Sequence, residues 1–185
     1  KAIEKIDRFC ASTGQFVLSA CFPRPWERYQ FLRGTENALL DILVAEKSFK
    51  SLLNGIHQFY MKEFEIWSRS EVDGLFFMDD WGSQQCLLID PEIWRSIMKP
   101  LYRDYCELAH SAGKYIFMHS DGNIQAILPD LIEIGVDAIN SQLFVMDLEQ
   151  VAEIARGRIT FWGEMDRQHV LGSPDPSVVI EAVER

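Results

Sequence analysis

The chain has 185 residues, of which 48% are hydrophobic and 25% are charged, and its formal net charge is −10. This composition predicts a globular chain with a full hydrophobic core and excludes intrinsic disorder. The acidic balance argues against nucleic acid or an anionic membrane as a partner, since a protein that binds either needs a basic surface. No apolar stretch approaches the roughly 20 residues that cross a bilayer, and no signal peptide is recognisable, so we expect a cytoplasmic protein.

Helical and extended patterns alternate along the chain. Apolar residues at helical spacing predict helices over 1–12, 26–44 with an interruption at Gly34, and about 49–67. Helix start and stop residues, among them the Asp90–Pro91 pair and the capping pair Asp147 and Gln150, predict further helices over 90–112, 127–134, 147–156 and from 173 onward. Short apolar runs bounded by glycine or turn residues predict strands that begin near residues 15, 74, 114, 137 and 158.

The order of these elements predicts the fold class. Strand and helix alternate about five times without a hairpin signal, which indicates an α/β protein with a parallel sheet. The later units of about 25 residues suit a (β/α)8 TIM barrel, and no G-x-G-x-x-G segment follows a strand to favour a dinucleotide-binding fold. Because about five strands cannot close this barrel, we expect residues 1–185 to form a single domain, the central to C-terminal part of a TIM barrel truncated at both ends. Roughly one βα unit would precede Lys1 and about two would follow Arg185.

Polar side chains recur where the predicted strands end. They are Asp79 and Asp80, His119 and Asp121, Asn140 and Gln142, and Glu164 and Asp166. The carboxyl ends of parallel barrel strands converge on one mouth, so these side chains are expected to form one site. The alternative is that each acidic residue caps the next helix or closes a turn. Trp81 and Trp162 neighbour the strand ends and are predicted to line a pocket for a large flat ligand.

His119 and Asp121 are separated by one residue, so on an extended segment both side chains face the same way. The pair is suited to sharing a metal ion or a substrate, while a structural histidine is the remaining alternative. Asp79 and Asp80 point to opposite faces, so one of them faces the mouth and the other caps or pairs. We predict catalytic roles for His119, Asp121 and Asp79, with His119 and Asp121 as candidate metal ligands. Substrate contacts are predicted for Asp80, Trp81, Asn140, Gln142, Trp162 and Glu164.

From Trp26 onward, blocks of sequence in the same order resemble the uroporphyrinogen decarboxylase superfamily. They are ERYQFLRGTENALLD at 27–41, MDDWGSQQ at 78–85, DPEIWRSIMKPLYRDYCELAHSAGK at 90–114, MHSDGNI at 118–124, LPDLIEIGVDAIN at 128–140 and TFWGEMD at 160–166. The resemblance covers nearly the whole chain and implies a (β/α)8 barrel enzyme. Two activities are known in this superfamily: removal of acetate carboxyls from a porphyrinogen without a cofactor, and methyl transfer with a corrinoid protein.

The resemblance also bears on the choice between these activities. In the methyltransferase branch a zinc site uses H-x-C, and here His119 matches the histidine while Asp121 replaces the cysteine. The segment SACFP at 19–23 stands in place of the Gly-rich segment of the decarboxylases, so the chain is more similar to the methyltransferase-like members. Methyl transfer between a small methylated substrate and a corrinoid carrier, with Zn as the candidate cofactor, is therefore expected. The alternatives are cofactor-free decarboxylation of uroporphyrinogen III and a non-catalytic tetrapyrrole-binding module.

Overall fold

The computed structural model describes residues 2–20 and 22–184. Within these residues a parallel four-stranded sheet has the strand order β1-β2-β3-β4. The strands are β1 (Gly74–Met78), β2 (Tyr115–Ser120), β3 (Ala138–Ser141) and β4 (Thr160–Phe161). Neighbouring strands are also consecutive in the chain, which is the arrangement of an arc of a TIM barrel. The predicted α/β fold with a parallel sheet is confirmed.

Helices precede, separate and follow the strands. They are α1 (Ala2–Ser12), α2 (Pro25–Arg33), α3 (Thr35–Val44), α4 (Lys47–Trp67), α5 (Pro91–Ser111), α6 (Leu128–Glu133), α7 (Leu148–Ala155) and α8 (Pro176–Glu184). Short 3₁₀ turns occupy Gln125–Ile127 and Leu143–Val145. Among the described residues, no helix combines the length and the apolar character needed to cross a membrane.

Several helix ends form as their sequence predicts. The Asp90 side chain accepts a hydrogen bond from the backbone N–H of Glu92 at the start of α5. The Asp147 side chain accepts from the backbone N–H groups of Glu149 and Gln150, and the Gln150 amide donates back to it at 2.6 Å. Such contacts satisfy the N–H groups that the first turn of a helix leaves without partners, so they decide where α5 and α7 begin.

The first predicted strand is wrong. Around residues 15–20 the chain is extended but forms only one parallel bridge to β1, between Leu18 and Gly74. In a regular β-ladder the acceptors would be backbone carbonyls, but here two of them are side chains. Ser19 Oγ accepts the N–H of Phe76, and an Asp73 carboxylate oxygen accepts the N–H of Val17. The segment still continues the parallel order of the sheet beside β1.

The two faces of the sheet carry different side chains. One face packs against helices and is fully buried, with Leu75, Phe77, Ile116, Met118 and Ile139 in the hydrophobic core. On the other face the ring of Trp162 lies 5.6 Å from the ring of Phe76 and 5.2 Å from that of Phe117. Because side chains alternate along a strand, His119 of β2 lies on the same face as Phe117. This second face therefore leads to the polar residues at the strand ends.

Candidate functional site

Asp80, His119 and Asp121 form a compact cluster at the carboxyl ends of β1 and β2. The Nε2 atom of His119 lies 3.6 Å from Oδ1 of Asp80 and 3.7 Å from Oδ1 of Asp121. One ligand atom from each residue lies within 4.8 Å of the others. The Asp80 carboxylate also accepts the backbone N–H of Asp121 at 2.9 Å, which ties the loop after β1 to the loop after β2.

A hydrogen-bonded chain fixes the orientation of the His119 ring. Nδ1 of His119 lies 2.6 Å from Oδ1 of Asn140, and the amide nitrogen of Asn140 donates to the carbonyl of Trp162 at 2.6 Å. Because the Asn140 amide must donate to that carbonyl, its oxygen faces the imidazole and Nδ1 carries the proton. In a neutral ring the lone pair then lies on Nε2, directed toward the two carboxylates. This is the tautomer that a metal-binding histidine needs.

Asp121 uses its two oxygens differently. Oδ2 accepts from Nη2 of Arg167 at 3.0 Å, and the same guanidinium nitrogen lies 3.3 Å from Oε2 of Glu164. Oδ1 is buried and has no hydrogen-bond partner among the described residues. A buried acceptor without a partner costs about 1–3 kcal/mol, and more when it is charged. A cation between Asp80, His119 and Asp121 would satisfy this oxygen.

The donor set fits a divalent cation. One imidazole nitrogen and two carboxylate oxygens are ligands that Zn²⁺ and other borderline or hard divalent ions accept in proteins. In zinc enzymes three protein ligands leave a further coordination position for water or substrate. Within the part of the chain that the structure describes, this cluster is thus chemically suited to a catalytic metal.

Asp79 lies apart from the cluster. Its side chain is fully buried and accepts from the backbone N–H groups of Trp26 at 2.9 Å and Glu27 at 2.8 Å, and from the Tyr102 hydroxyl at 2.6 Å. Burial raises the pKa of Asp79 to about 8, against the opposing effect of these three hydrogen bonds. Of the two consecutive aspartates, Asp80 faces the site and Asp79 caps the first turn of α2. The catalytic role predicted for Asp79 is therefore corrected to a structural one.

Trp81 also lies away from the cluster, which corrects its predicted place in a ligand pocket. The side chain is fully buried, its Nε1 donates to the Tyr102 hydroxyl at 2.7 Å, and its ring stacks on Trp26 at 5.2 Å. The indole therefore belongs to the core between the sheet and the helices. Trp162 differs, since 38% of it is exposed on the face of the sheet that carries His119.

Gln142 and Glu164 lie beside the cluster and line a cavity of about 260 Å³ together with Arg167. The amide of Gln84 reaches this cavity as well and donates to Oε1 of Gln142 at 3.4 Å. Arg167 connects the cavity to the cluster, because its guanidinium donates to Oδ2 of Asp121. The structure thus brings the predicted residues Gln142 and Glu164 next to the cluster, and their contact with a substrate stays a prediction.

Two residues near the site were not predicted. Arg167 follows Glu164 in the same loop, so its position could have been suspected from the sequence. Glu27 lies in the first turn of α2, and its Oε2 is buried without a hydrogen-bond partner among the described residues. Local sequence patterns give Glu27 no role in the site, because contacts between distant segments, among them the Asp79 cap and the stacking of Trp26 on Trp81, bring α2 to the end of β1.

Two glycines allow the loops of the site to touch. The Gly82 N–H donates to the carbonyl of Asp121 at 3.0 Å. A Cβ atom built on Gly82 would lie 2.2 Å from the backbone nitrogen of Asn123, and one on Gly122 would lie 2.1 Å from the carbonyl carbon of Gly82. Gly122 also has a φ of +77°, which favours glycine. Backbone packing at these glycines therefore holds the loops of Asp80 and Asp121 together.

The model of the uroporphyrinogen decarboxylase (URO-D) family matches residues 8–185. The chain belongs to the URO-D family. A methyltransferase from Methanosarcina mazei has a similar structure, with a TM-score of 0.71 and 15% sequence identity, over 98% of this chain and 54% of that chain. No curated protein matches the chain. The structural likeness shows a shared TIM-barrel-like fold, and this URO-D family chain spans about half the length of that methyltransferase.

Proposed function

We propose that this URO-D family protein is an enzyme that transfers a methyl group between a small methylated substrate and a corrinoid carrier protein. A divalent cation such as Zn²⁺ would be held by Asp80, His119 and Asp121. The observation that supports this proposal is the oriented imidazole, whose Nε2 faces two carboxylate oxygens at 3.6 and 3.7 Å. The proposal also includes a single domain, a small-molecule or tetrapyrrole substrate, and a cytoplasmic location.

Each residue of the cluster has a defined part in this chemistry. The bound cation would supply a Lewis acid for the heteroatom that carries the methyl group. His119 holds its lone pair toward the cation position because Asn140 binds its other nitrogen. Arg167 binds the second oxygen of Asp121 and so keeps the first oxygen directed at His119. Substrate would enter beside Glu164, whose carboxylate and the guanidinium of Arg167 line the adjacent cavity.

Charge favours this function over uroporphyrinogen III decarboxylation. A porphyrinogen substrate carries several carboxylates, whereas the ends of β1, β2 and β4 bring together Asp80, Asp121 and Glu164. The Arg167 guanidinium beside them already pairs with two of these acids. Like charges at short range are repulsive, so a small uncharged or cationic methyl donor fits this mouth better. Decarboxylation without a cofactor remains the second candidate, because the matching family model bears the name of that activity.

A spectroscopic experiment tests the proposal. The intact protein is mixed with a methylated corrinoid protein and candidate methyl acceptors, and the visible spectrum of the corrinoid is followed. If the protein transfers the methyl group, the spectrum of the methylated corrinoid should disappear. The His119→Ala variant is expected to leave that spectrum unchanged. An unchanged corrinoid spectrum together with turnover of uroporphyrinogen would support decarboxylation. Tetrapyrrole binding without either reaction would support a non-catalytic binding module.

A further inference from the structure

Glu27 belongs to a different element of the fold, α2, whose first turn lies at the same end of β1 as the cluster. Its backbone N–H binds Asp79, the residue next to Asp80, so the first turn of α2 is held at the end of β1. The Glu27 side chain is only 16% exposed. Its Oε2 atom is buried, and a guanidinium nitrogen of Arg24 at 3.8 Å is too distant to hydrogen-bond to it. A carboxylate in this position still has capacity to accept a partner.

The electrostatic surroundings connect Glu27 to the same cluster. Burial raises the pKa of Glu27, the Asp80 carboxylate raises it further, and Arg24 and His119 lower it. Both Asp80 and His119 are thus within electrostatic reach of the Glu27 carboxyl group. Without a cation, the carboxylates of Glu27 and Asp80 repel each other at the edge of a partly buried site.

We propose that Glu27 is a further protein ligand, supplied by α2, for the cation held by Asp80, His119 and Asp121. This inference rests on the cation site of the proposed function. A Glu side chain has three rotatable bonds, so its carboxylate can turn to the cation while the backbone stays at the Asp79 cap. The ligand set would then be one imidazole and three carboxylates.

This set predicts which ions the site takes. Carboxylate oxygens suit hard and borderline divalent ions, whereas thiophilic ions such as Cu(I) prefer sulfur ligands. We therefore expect Mn²⁺ and Zn²⁺ to bind, and we expect Mn²⁺ to depend on Glu27 more strongly because it relies more on oxygen ligands. The competing explanation is that Glu27 serves only as the ion-pair partner of Arg24.

The experiment measures cation binding directly, without an activity assay. The intact protein is freed of metal with a chelator and titrated with Mn²⁺ and with Zn²⁺ by calorimetry, and the visible absorption of a Co²⁺ complex reports the coordination. Glu27→Gln is expected to weaken Mn²⁺ binding about tenfold or more and to change the Co²⁺ spectrum. The matched control is Glu63→Gln, since Glu63 lies on α4 and its pKa is raised by burial without a contribution from the cluster. This control should bind both ions as the parent does.

Further variants separate the possible failures. Glu27→Asp keeps the charge and shortens the side chain, so it should fold and lose affinity if reach to the cation matters. If Glu27→Gln and Glu27→Asp both bind Mn²⁺ like the parent, Glu27 is not a ligand while the three-residue site stands. If Arg24→Gln reproduces the loss, Glu27 acts as an ion-pair partner and the inference is overturned. If the parent protein binds neither ion, the proposed cation site itself fails.

Discussion

Asp79 and Asp80 are consecutive residues whose carboxylates serve opposite faces of the sheet. Asp79 is fully buried and accepts three hydrogen bonds, two of them from the first turn of α2. Asp80 accepts the N–H of Asp121 and lies 3.6 Å from the imidazole of His119. Asp79 thus contributes to stability, whereas its neighbour Asp80 faces the candidate site.

This division predicts opposite effects of two alanine substitutions. Asp79→Ala leaves three donors without their acceptor, two of them in buried hydrogen bonds, and should lower the free energy of unfolding by about 3 kcal/mol or more. Asp80→Ala removes a part-exposed acceptor and should change stability by about 1 kcal/mol or less while weakening cation binding. Urea denaturation and calorimetric titration with Zn²⁺ measure the two effects. Equal destabilisation by both substitutions would contradict the division.

His119→Ala and Asp121→Ala should abolish activity and ligand binding and leave the melting temperature within a few degrees of the parent. The reason is that both side chains face the cluster and contribute little to the core. His57→Ala is the matched control, because His57 is buried on α4 between the Tyr105 hydroxyl at 3.2 Å and Asp104 at 2.8 Å. It should lower the melting temperature, with site chemistry preserved in the folded fraction. Unfolding by the His119 or Asp121 substitution, with no ligand-dependent effect, would show that the pair is structural.

Asn140→Ala should weaken cation binding about 10- to 100-fold, as is typical when the partner of a metal-binding histidine is lost. The substitution removes the acceptor that holds Nδ1 of His119 and the donor to the Trp162 carbonyl. Gln142→Ala is the comparison, since the described contact of the Gln142 side chain is with Gln84 and the imidazole of His119 bonds to Asn140 instead. Titration of both variants with Zn²⁺ measures their affinities. If the two variants bind Zn²⁺ equally well, Asn140 does not orient His119.

Gly122→Ala should destabilise the protein strongly and disrupt the site. A Cβ at this position would lie 2.1 Å from the backbone of Gly82, and the φ of +77° adds strain. Gly55→Ala is the control, because Gly55 lies within α4 and a Cβ there meets nothing within 4 Å. We expect this control to gain up to about 1 kcal/mol of stability from helix propensity. Denaturation curves for both variants test the contrast, and similar curves would argue against the glycine contact.

Asp41 makes the contact between α2 and α3 sensitive to acid. Its carboxylate accepts from the Arg33 guanidinium and from the Tyr29 hydroxyl, each at 2.7 Å, and these bonds hold the pKa of Asp41 below its usual 3.8. Because the folded state binds this proton less tightly than the unfolded state, the stabilisation is present above about pH 4 and is lost as the pH falls through the folded pKa. Asp41→Asn should therefore flatten the acid side of the melting temperature profile below about pH 4. An unaltered profile would show that the contact does not contribute.

The sequence alone predicted most of the element order and pointed to the strand ends that carry the candidate site. Apolar runs and capping residues located β1 to β4 and the starts of α5 and α7, because these signals act over a few neighbouring residues. They overestimated the strand near residue 15, where Ser19 Oγ replaces a backbone acceptor for the N–H of Phe76. The spacing of His119 and Asp121 placed both on one side, and the structure brings Asp80 to them.

The tertiary structure decided which of Asp79 and Asp80 faces the core and which faces the candidate site. Alternation along a strand puts Asp79 and Asp80 on opposite faces, but only the packing of α2 and Tyr102 makes Asp79 the buried one. The same packing draws Trp81 into the core and brings Glu27 toward the cluster, across about fifty residues of chain. Such contacts join segments that are distant in sequence, and local patterns carry no information about them.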